Sequence, residues 1–182
     1  MASRNGRTGA LLLFMVNSIT GLRVVLIPFF IYFETYHKHV AALVIVIVII
    51  TTDIADGFFA RLLDSVSKAG GIFDSLADFI VVISLFSFFF FTGALPLSIP
   101  VMVLLSFAAY SVNCLLNKSI IYTKFGSASG FLCMSAIAVF CGARAFFPDY
   151  EGYTMLAVSC ACIAYLAIAS AENFIMIFKR II

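Results

Sequence analysis

Long apolar runs alternate with short polar clusters along the chain. Glycine, proline and charged punctuation divides it into six segments that read as helices at 9–33, 40–61, 71–93, 97–117, 127–147 and 153–177. Each is close to the length of about 20 mostly apolar residues that a helix needs to cross the hydrocarbon of a bilayer. The first begins as a signal peptide would, with Arg4 and Arg7 ahead of a Leu-Leu-Leu-Phe-Met-Val run, but the run breaks at Asn17-Ser18-Ile19-Thr20 and then resumes. No small-residue cleavage site follows, so the segment reads as a span. The pattern predicts an all-α integral membrane protein with six transmembrane helices.

Composition agrees. The chain is 64% hydrophobic and 11% charged, against about 45–50% and about 25% in an ordinary soluble domain. No polar linker, low-complexity stretch or internal repeat divides it, so 1–182 reads as one transmembrane domain. The five cysteines, Cys114, Cys133, Cys141, Cys160 and Cys162, lie in apolar runs without C-x-x-C spacing. Their odd number and placement argue against a disulfide or zinc framework and for small apolar filler. A net charge of +2 without aromatic-basic interleaving excludes a nucleic-acid partner.

Lysine and arginine in short loops bias those loops towards the cytoplasm. With the N-terminus inside, the inner segments hold Arg4, Arg7, Arg61, Lys68, Lys118, Lys124, Lys179 and Arg180, eight against the two, Lys38 and Arg144, outside. Arg23 falls within a span. Both termini and the loop 62–70 are therefore expected in the cytoplasm, with the protein in the inner (cytoplasmic) membrane of the cell or its equivalent.

Against this background the acidic residues are anomalous. Nine occur in the chain, and five of them lie between Asp53 and Asp78. Carboxylates in hydrocarbon are costly and are kept where they line a wet cavity, bind metal or move protons. Four fall in the pattern Asp53-x2-Asp56-Gly57-x2-Ala60-Arg61-x8-Gly70-x3-Asp74-x3-Asp78. Asp64, in the x8 connection, reads as a solvated loop residue. Residues three and four apart share a helix face, so Asp53, Asp56, Gly57 and Ala60 form one stripe, with Arg61 adjacent, and Asp74 and Asp78 form a second. A short antiparallel connection through Gly70 lets the stripes face each other at the cytoplasmic membrane face.

Four converging carboxylates cannot all stay ionised without cations to balance them. All-oxygen ligands suit hard divalent cations, Mg2+ or Mn2+, whereas zinc prefers the His or Cys that the cluster lacks. His37 and His39 lie in the expected outer loop and read as solvated. Gly57 and Ala60 leave room for a ligand to approach the backbone, and Arg61 offers a planar fork for phosphate oxygens. Metal, arginine and small residues together point to a diphosphate substrate. Ion pairing among Asp53, Asp56 and Arg61 alone would leave the excess negative charge unexplained.

At these residues the sequence resembles the CDP-alcohol phosphotransferase family, integral membrane enzymes that make phospholipid head groups. Every fixed position of the family signature is present: Asp53, Asp56, Gly57, Ala60, Arg61, Gly70, Asp74 and Asp78. The likeness extends less specifically upstream to Asn17-Ser18-Ile19-Thr20-x-x-Arg23. The resemblance implies a six-helix bundle, commonly a homodimer, acting on CDP-diacylglycerol or a related CDP-alcohol. It implies that Asp53, Asp56 and Asp74 bind a pair of Mg2+ or Mn2+ ions, with Asp78 shared between metal binding and general base catalysis. Asp56, Gly57, Ala60 and Arg61 would meet the CDP-alcohol, together with Ser67 and the break formed by Asn17, Ser18, Ile19 and Thr20. That break also reads as a helix irregularity packed against a neighbour. The reaction implied is attack of an acceptor alcohol on the lipid-bearing phosphorus with loss of CMP.

A phosphorylated acceptor calls for extra cations on the inner side, and Lys68, Lys118 and Lys124 are the candidates; they serve equally as orientation signals. Many glycerophosphate-using relatives carry Pro after the third Asp of the signature and Lys after the fourth, where this chain has Ser75 and Phe79. In that detail it is closer to branches that use serine or inositol phosphate. The rival class is a membrane cation or proton transporter, since intramembrane carboxylates also mark ion paths. Such a path needs polar groups at successive depths, whereas the four carboxylates here all lie near the inner face.

Overall fold

Hydrocarbon offers no hydrogen bonds, so a spanning backbone must satisfy its own N–H and C=O groups, and a helix does this within one segment. In the computed structural model, which describes residues 21–62, 68–117 and 124–181, every regular element is helical. Side chains are described for all of these residues except 56–62, 68–73, 116–117, 124–128 and 179–181. Helix α1 covers 21–35. It is followed by α2 (His39–Leu62), α3 (Lys68–Phe91), α4 (Ser98–Asn117), α5 (Lys124–Phe146), a single 3-10 turn (Pro148–Tyr150) and α6 (Glu151–Ile181).

The expected spans from the second to the sixth each fall on one of α2 to α6, with ends displaced by a few residues. Residues 9–20 of the first lie outside the described residues. Among the described residues four stretches are long and apolar enough to cross a membrane, Asp74–Phe91, Ser98–Leu115, Ser129–Phe146 and Pro148–Phe178, and His39–Ala55 is a shorter apolar helix. Gly70 is not in a connection: α3 has already begun at Lys68.

Two helix ends close in the same way. After α3 the Gly93 N–H bonds the Phe90 carbonyl (2.9 Å) and the Ala94 N–H bonds that of Phe89 (2.8 Å), with Gly93 at φ 74°. This reciprocal pair needs a left-handed residue, which glycine supplies without a Cβ penalty. After α1 the same pair runs from His37 to Glu34 (3.0 Å) and from Lys38 to Phe33 (2.8 Å), with His37 itself at φ 55°. His37 is exposed in this turn. His39, however, is not a solvated loop residue: it opens α2 and its Nδ1 lies 3.0 Å from Oε2 of the buried Glu34.

Helix α5 is the hub, packing against α2, α3 and α6, while α4 packs on α3 and α6. The aromatic run of α3 divides by helical geometry. Phe86 and Phe89 are fully buried, whereas Phe91 is 82% exposed. Phe89 meets Phe30 of α1 and Phe140 of α5 edge-on, with ring centroids 5.8 and 5.0 Å apart, the offset arrangement that ring quadrupoles favour. On α6 the buried face reads Val158, Ser159, Cys162, Leu166, Ala169, Ser170 and Asn173. These mostly small residues let α4 and α5 approach closely. Asn113 of α4 donates through Nδ2 to Asn173 Oδ1 of α6 (3.2 Å), fixing the register of that pair. All five cysteines are free, and Cys133, Cys141 and Cys162 are buried in the core as filler.

Candidate active site

Several hydroxyl groups in the apolar helices are absorbed locally. Thr51 and Thr52, just before Asp53, donate to the carbonyls of Ile47 (2.9 Å) and Val48 (2.9 Å) one turn back. A carboxylate has no proton to donate and cannot do the same, so Asp53 must find partners on other helices. It finds them where α1, α2 and α3 meet.

Three helices build the site. α2 brings Asp53, and α3 brings Asp74 and Asp78 one turn apart on a common face. α1 brings Arg23, whose guanidinium is completely buried between them. Its Nη1 stands 3.0 Å from Asp53 Oδ1, 3.1 Å from Asp74 Oδ1 and 2.6 Å from Asp78 Oδ1. The three carboxylates are each about one-third to one-half exposed on their outer side. They offer oxygens that all lie within 4.8 Å of one another. Among the described side chains three carboxylates thus face one guanidinium, an arrangement that draws in further cations.

The donor set fits a hard divalent cation. It is all oxygen, partly open to ligands, and spaced on the scale of an ion's coordination sphere, in which opposite Mg2+ ligands at about 2.0–2.1 Å stand about 4.2 Å apart. Beside it lies a small apolar cleft, about the size of a water molecule, between α2, α3 and α5, lined by Ile49, Asp53, Asp78, Val81, Gly130, Phe131 and Met134 among others. The site therefore has a charged end and a greasy end. Next to Asp78 in the chain, Phe79 stacks on Phe107 of α4 with ring centroids 3.8 Å apart and planes 11° from parallel.

The structure brings together three of the expected site residues, Asp53, Asp74 and Asp78. Asp56, Gly57, Ala60 and Arg61 lie on the helical backbone of α2, but their side chains are outside the described residues. Lys68 and Lys124 are the first residues of α3 and α5, again with side chains outside them. Asn17, Ser18, Ile19, Thr20, Ser67 and Lys118 lie outside the described residues altogether. Arg144 stands at the opposite end of the bundle, bound to Glu34.

Arg23 closes the upstream likeness Asn17-Ser18-Ile19-Thr20-x-x-Arg23, but sequence reasoning gave it no role in the site. A signal was present: an arginine inside an apolar stretch is as costly as an aspartate there and needs a partner as much. Read as a charge within a span and as the end of a weakly specific motif, it was not matched to the carboxylates. The cleft residues of α5, Gly130, Phe131 and Met134, carried no signal, since nothing in an apolar helix marks which face meets a carboxylate on another helix.

The model of one protein family, CDP-alcohol phosphatidyltransferase, matches residues 13–176 of the chain. A curated relative, the CDP-diacylglycerol–glycerol-3-phosphate 3-phosphatidyltransferase of Aquifex aeolicus (strain VF5), is 36% identical over 77 residues. The matched stretch takes in 42% of this chain and 43% of that protein, less than half the length of either.

Proposed function

The chain belongs to the CDP-alcohol phosphatidyltransferase family, and on that premise we propose that it is a phospholipid-synthesising transferase. It moves the phosphatidyl or a similar phospholipid group from a CDP-alcohol, such as CDP-diacylglycerol, to a polar alcohol acceptor and releases CMP. The observation that carries this reading is the convergence of Asp53, Asp74 and Asp78, from two helices, beside an apolar cleft. A substrate with a soluble diphosphate and two fatty tails needs both features at one place.

Asp53, Asp56, Asp74 and Asp78 would hold the divalent cations, a pair of Mg2+ or Mn2+ ions. When bound, these cations supply charge neutralisation at the diphosphate and alignment of the attacking and leaving oxygens. Gly57, Ala60 and Arg61 follow Asp56 along α2, and with Ser67 and the segment Asn17 to Thr20 they receive the CDP moiety. Asp78 accepts the proton of the acceptor hydroxyl. The hydroxyl oxygen forms its bond to the lipid-bearing phosphorus as the bond from that phosphorus to the CMP oxygen breaks. The cleft walls, Val81, Phe131 and Met134 among them, keep water from the same phosphorus and let the tails stay in the bilayer.

Six spans, both termini in the cytoplasm and a cytoplasm-facing site belong to this proposal, as does assembly as a homodimer. The orientation is supported by the charge distribution and by the grouping of Glu34 with Arg144, an expected outer residue, at the end of the bundle away from Asp53; six spans follow the apolar pattern of the sequence, and the homodimer follows the family resemblance alone. The acceptor is a phosphorylated or hydroxylated small molecule. Glycerol 3-phosphate is favoured by the partial relative. The Phe79–Phe107 stack weighs against it, because it takes up the position where many glycerophosphate-using relatives have a lysine. Lys68, Lys118 and Lys124 remain to meet an acceptor phosphate.

Ion transport is the weaker reading. Between Arg23 and Glu34 on α1 the buried residues are Ile27 and Phe30, and the core around them is apolar among the described residues. The deciding experiment supplies purified protein with CDP-diacylglycerol, Mg2+ or Mn2+ and, separately, glycerol 3-phosphate, inositol phosphate, inositol or serine. CMP release that depends on one acceptor supports the proposal. Cation flux in liposomes without any CMP chemistry overturns it.

A further inference from the structure

The space between the three carboxylates is held by a side chain of the protein itself. A single nitrogen, Nη1 of Arg23, lies within 3.1 Å of an oxygen of Asp53, Asp74 and Asp78, on two helices other than its own. The guanidinium is fully buried, and arginine keeps its proton at any physiological pH. Its charge at this place is therefore permanent. A divalent cation attracted to the same oxygens meets a like charge already seated among them, and the repulsion acts across a few ångströms of low dielectric.

We propose that Arg23 is an internal counter-cation of the carboxylate cluster, competing with divalent cations for Asp53, Asp74 and Asp78 and so setting the metal affinity of the substrate-free protein. It keeps the three carboxylates gathered when no ion is bound and yields their oxygens when one arrives. Arg23 thus acts as a positioning residue that works through the aspartates. The inference rests on the metal-binding reading given under Proposed function.

The test is Mn2+ titration of the full-length protein in detergent, without substrate, followed by the electron paramagnetic resonance signal of free Mn2+ and by the melting temperature. Arg23→Met removes the charge, Arg23→Gln removes it but keeps donors for the carboxylates, and Arg23→Lys keeps it. Met or Gln is expected to lower the Mn2+ dissociation constant by about tenfold or more, the scale of one nearby unit charge. Lys is expected to stay near the wild-type value, which a merely structural role for the guanidinium would not produce. The melting temperature of the Met and Gln variants should fall in chelator and rise more steeply with Mn2+ than that of the wild type. If Arg23→Met is recovered only as aggregate, Arg23→Gln decides. Unchanged or weaker Mn2+ binding in the neutral variants, with Asp53→Asn still weakening it, overturns the role of Arg23 alone. Mn2+ binding that is absent, or indifferent to Asp53→Asn, overturns the metal reading and this inference together.

Discussion

Nη1 of Arg144 on α5 lies 3.0 Å from Oε2 of Glu34 on α1, whose side chain is 1% exposed. His39 Nδ1 stands 3.0 Å from the same oxygen, and Arg144 Nε is 3.1 Å from Glu151 Oε1. The guanidinium also lies over the rings of Phe89 and Phe140, at 5.8 and 5.9 Å from their centroids. One arginine thus joins α1, α3, α5 and the start of α6 at the end of the bundle away from the carboxylate cluster.

Removing one partner of such a pair leaves a buried charge uncompensated, at a cost of about 3–5 kcal/mol. Arg144→Met should therefore lower the unfolding free energy by that order in a denaturant titration in mixed micelles. Glu34→Leu combined with Arg144→Met should recover part of the loss, because neither charge then remains. A single Arg144→Met variant as stable as the wild type would show the pair to contribute nothing.

Asp78→Asn keeps the shape of the side chain and removes its ability to accept a proton. With the right acceptor, CMP release should fall by about 10^2–10^4-fold, the usual contribution of a positioned general base. Full turnover in this variant would remove Asp78 from that role.

Chelation should abolish CMP release, and Mg2+ or Mn2+ should restore it. The ion binds only the folded cluster, so the melting temperature should rise with its concentration. Mass action gives about 2.7 kcal/mol of added stability at 100 times the dissociation constant. A melting curve indifferent to Mn2+ and a chelator-resistant reaction would contradict the metal assignment.

Gly130 borders the apolar cleft beside Asp53 and Asp78, and a Cβ added there meets nothing within 4 Å. Gly130→Ala should fold normally and gain up to about 1 kcal/mol of helix stability. Gly130→Leu should also fold but obstruct the cleft, lowering kcat/KM for CDP-diacylglycerol by roughly tenfold, equivalent to about 1.4 kcal/mol of lost transition-state binding. Equal kinetics for both variants would place the lipid elsewhere.

His37 holds φ 55° in the turn after α1, a conformation that costs an L residue about 1–2 kcal/mol. His37→Gly removes that strain and loosens the unfolded chain, two effects of opposite sign. The balance should be a gain of about 0.5–1 kcal/mol in unfolding free energy with no change in CMP release. A loss of stability would mean that the imidazole contributes more than the turn geometry costs; its ring lies 5.8 Å from that of His39.

The apolar helices and the acidic spacing were open to sequence reasoning because both depend on local rules. A run of apolar residues must become a helix in hydrocarbon wherever it lies in the fold, which is why α2 to α6 match their expected ranges. Asp74 and Asp78 share a face by helical period alone. The aromatic run of α3 was ambiguous for the converse reason. Which of its rings turned inward depended on where Phe30 and Phe140 stood on other helices.

What the sequence determined by itself was a bundle of apolar helices with carboxylates at the end of one and the start of the next. The physical reason is that hydrocarbon enforces helices and penalises every charge that lacks a purpose. Only the tertiary structure decided which charges answer one another. Arg23 pairs with Asp53, Asp74 and Asp78, 30 to 55 residues away, and Glu34 pairs with Arg144 at a separation of 110. Such partners are chosen by the packing of whole helices, and no spacing within one helix encodes them.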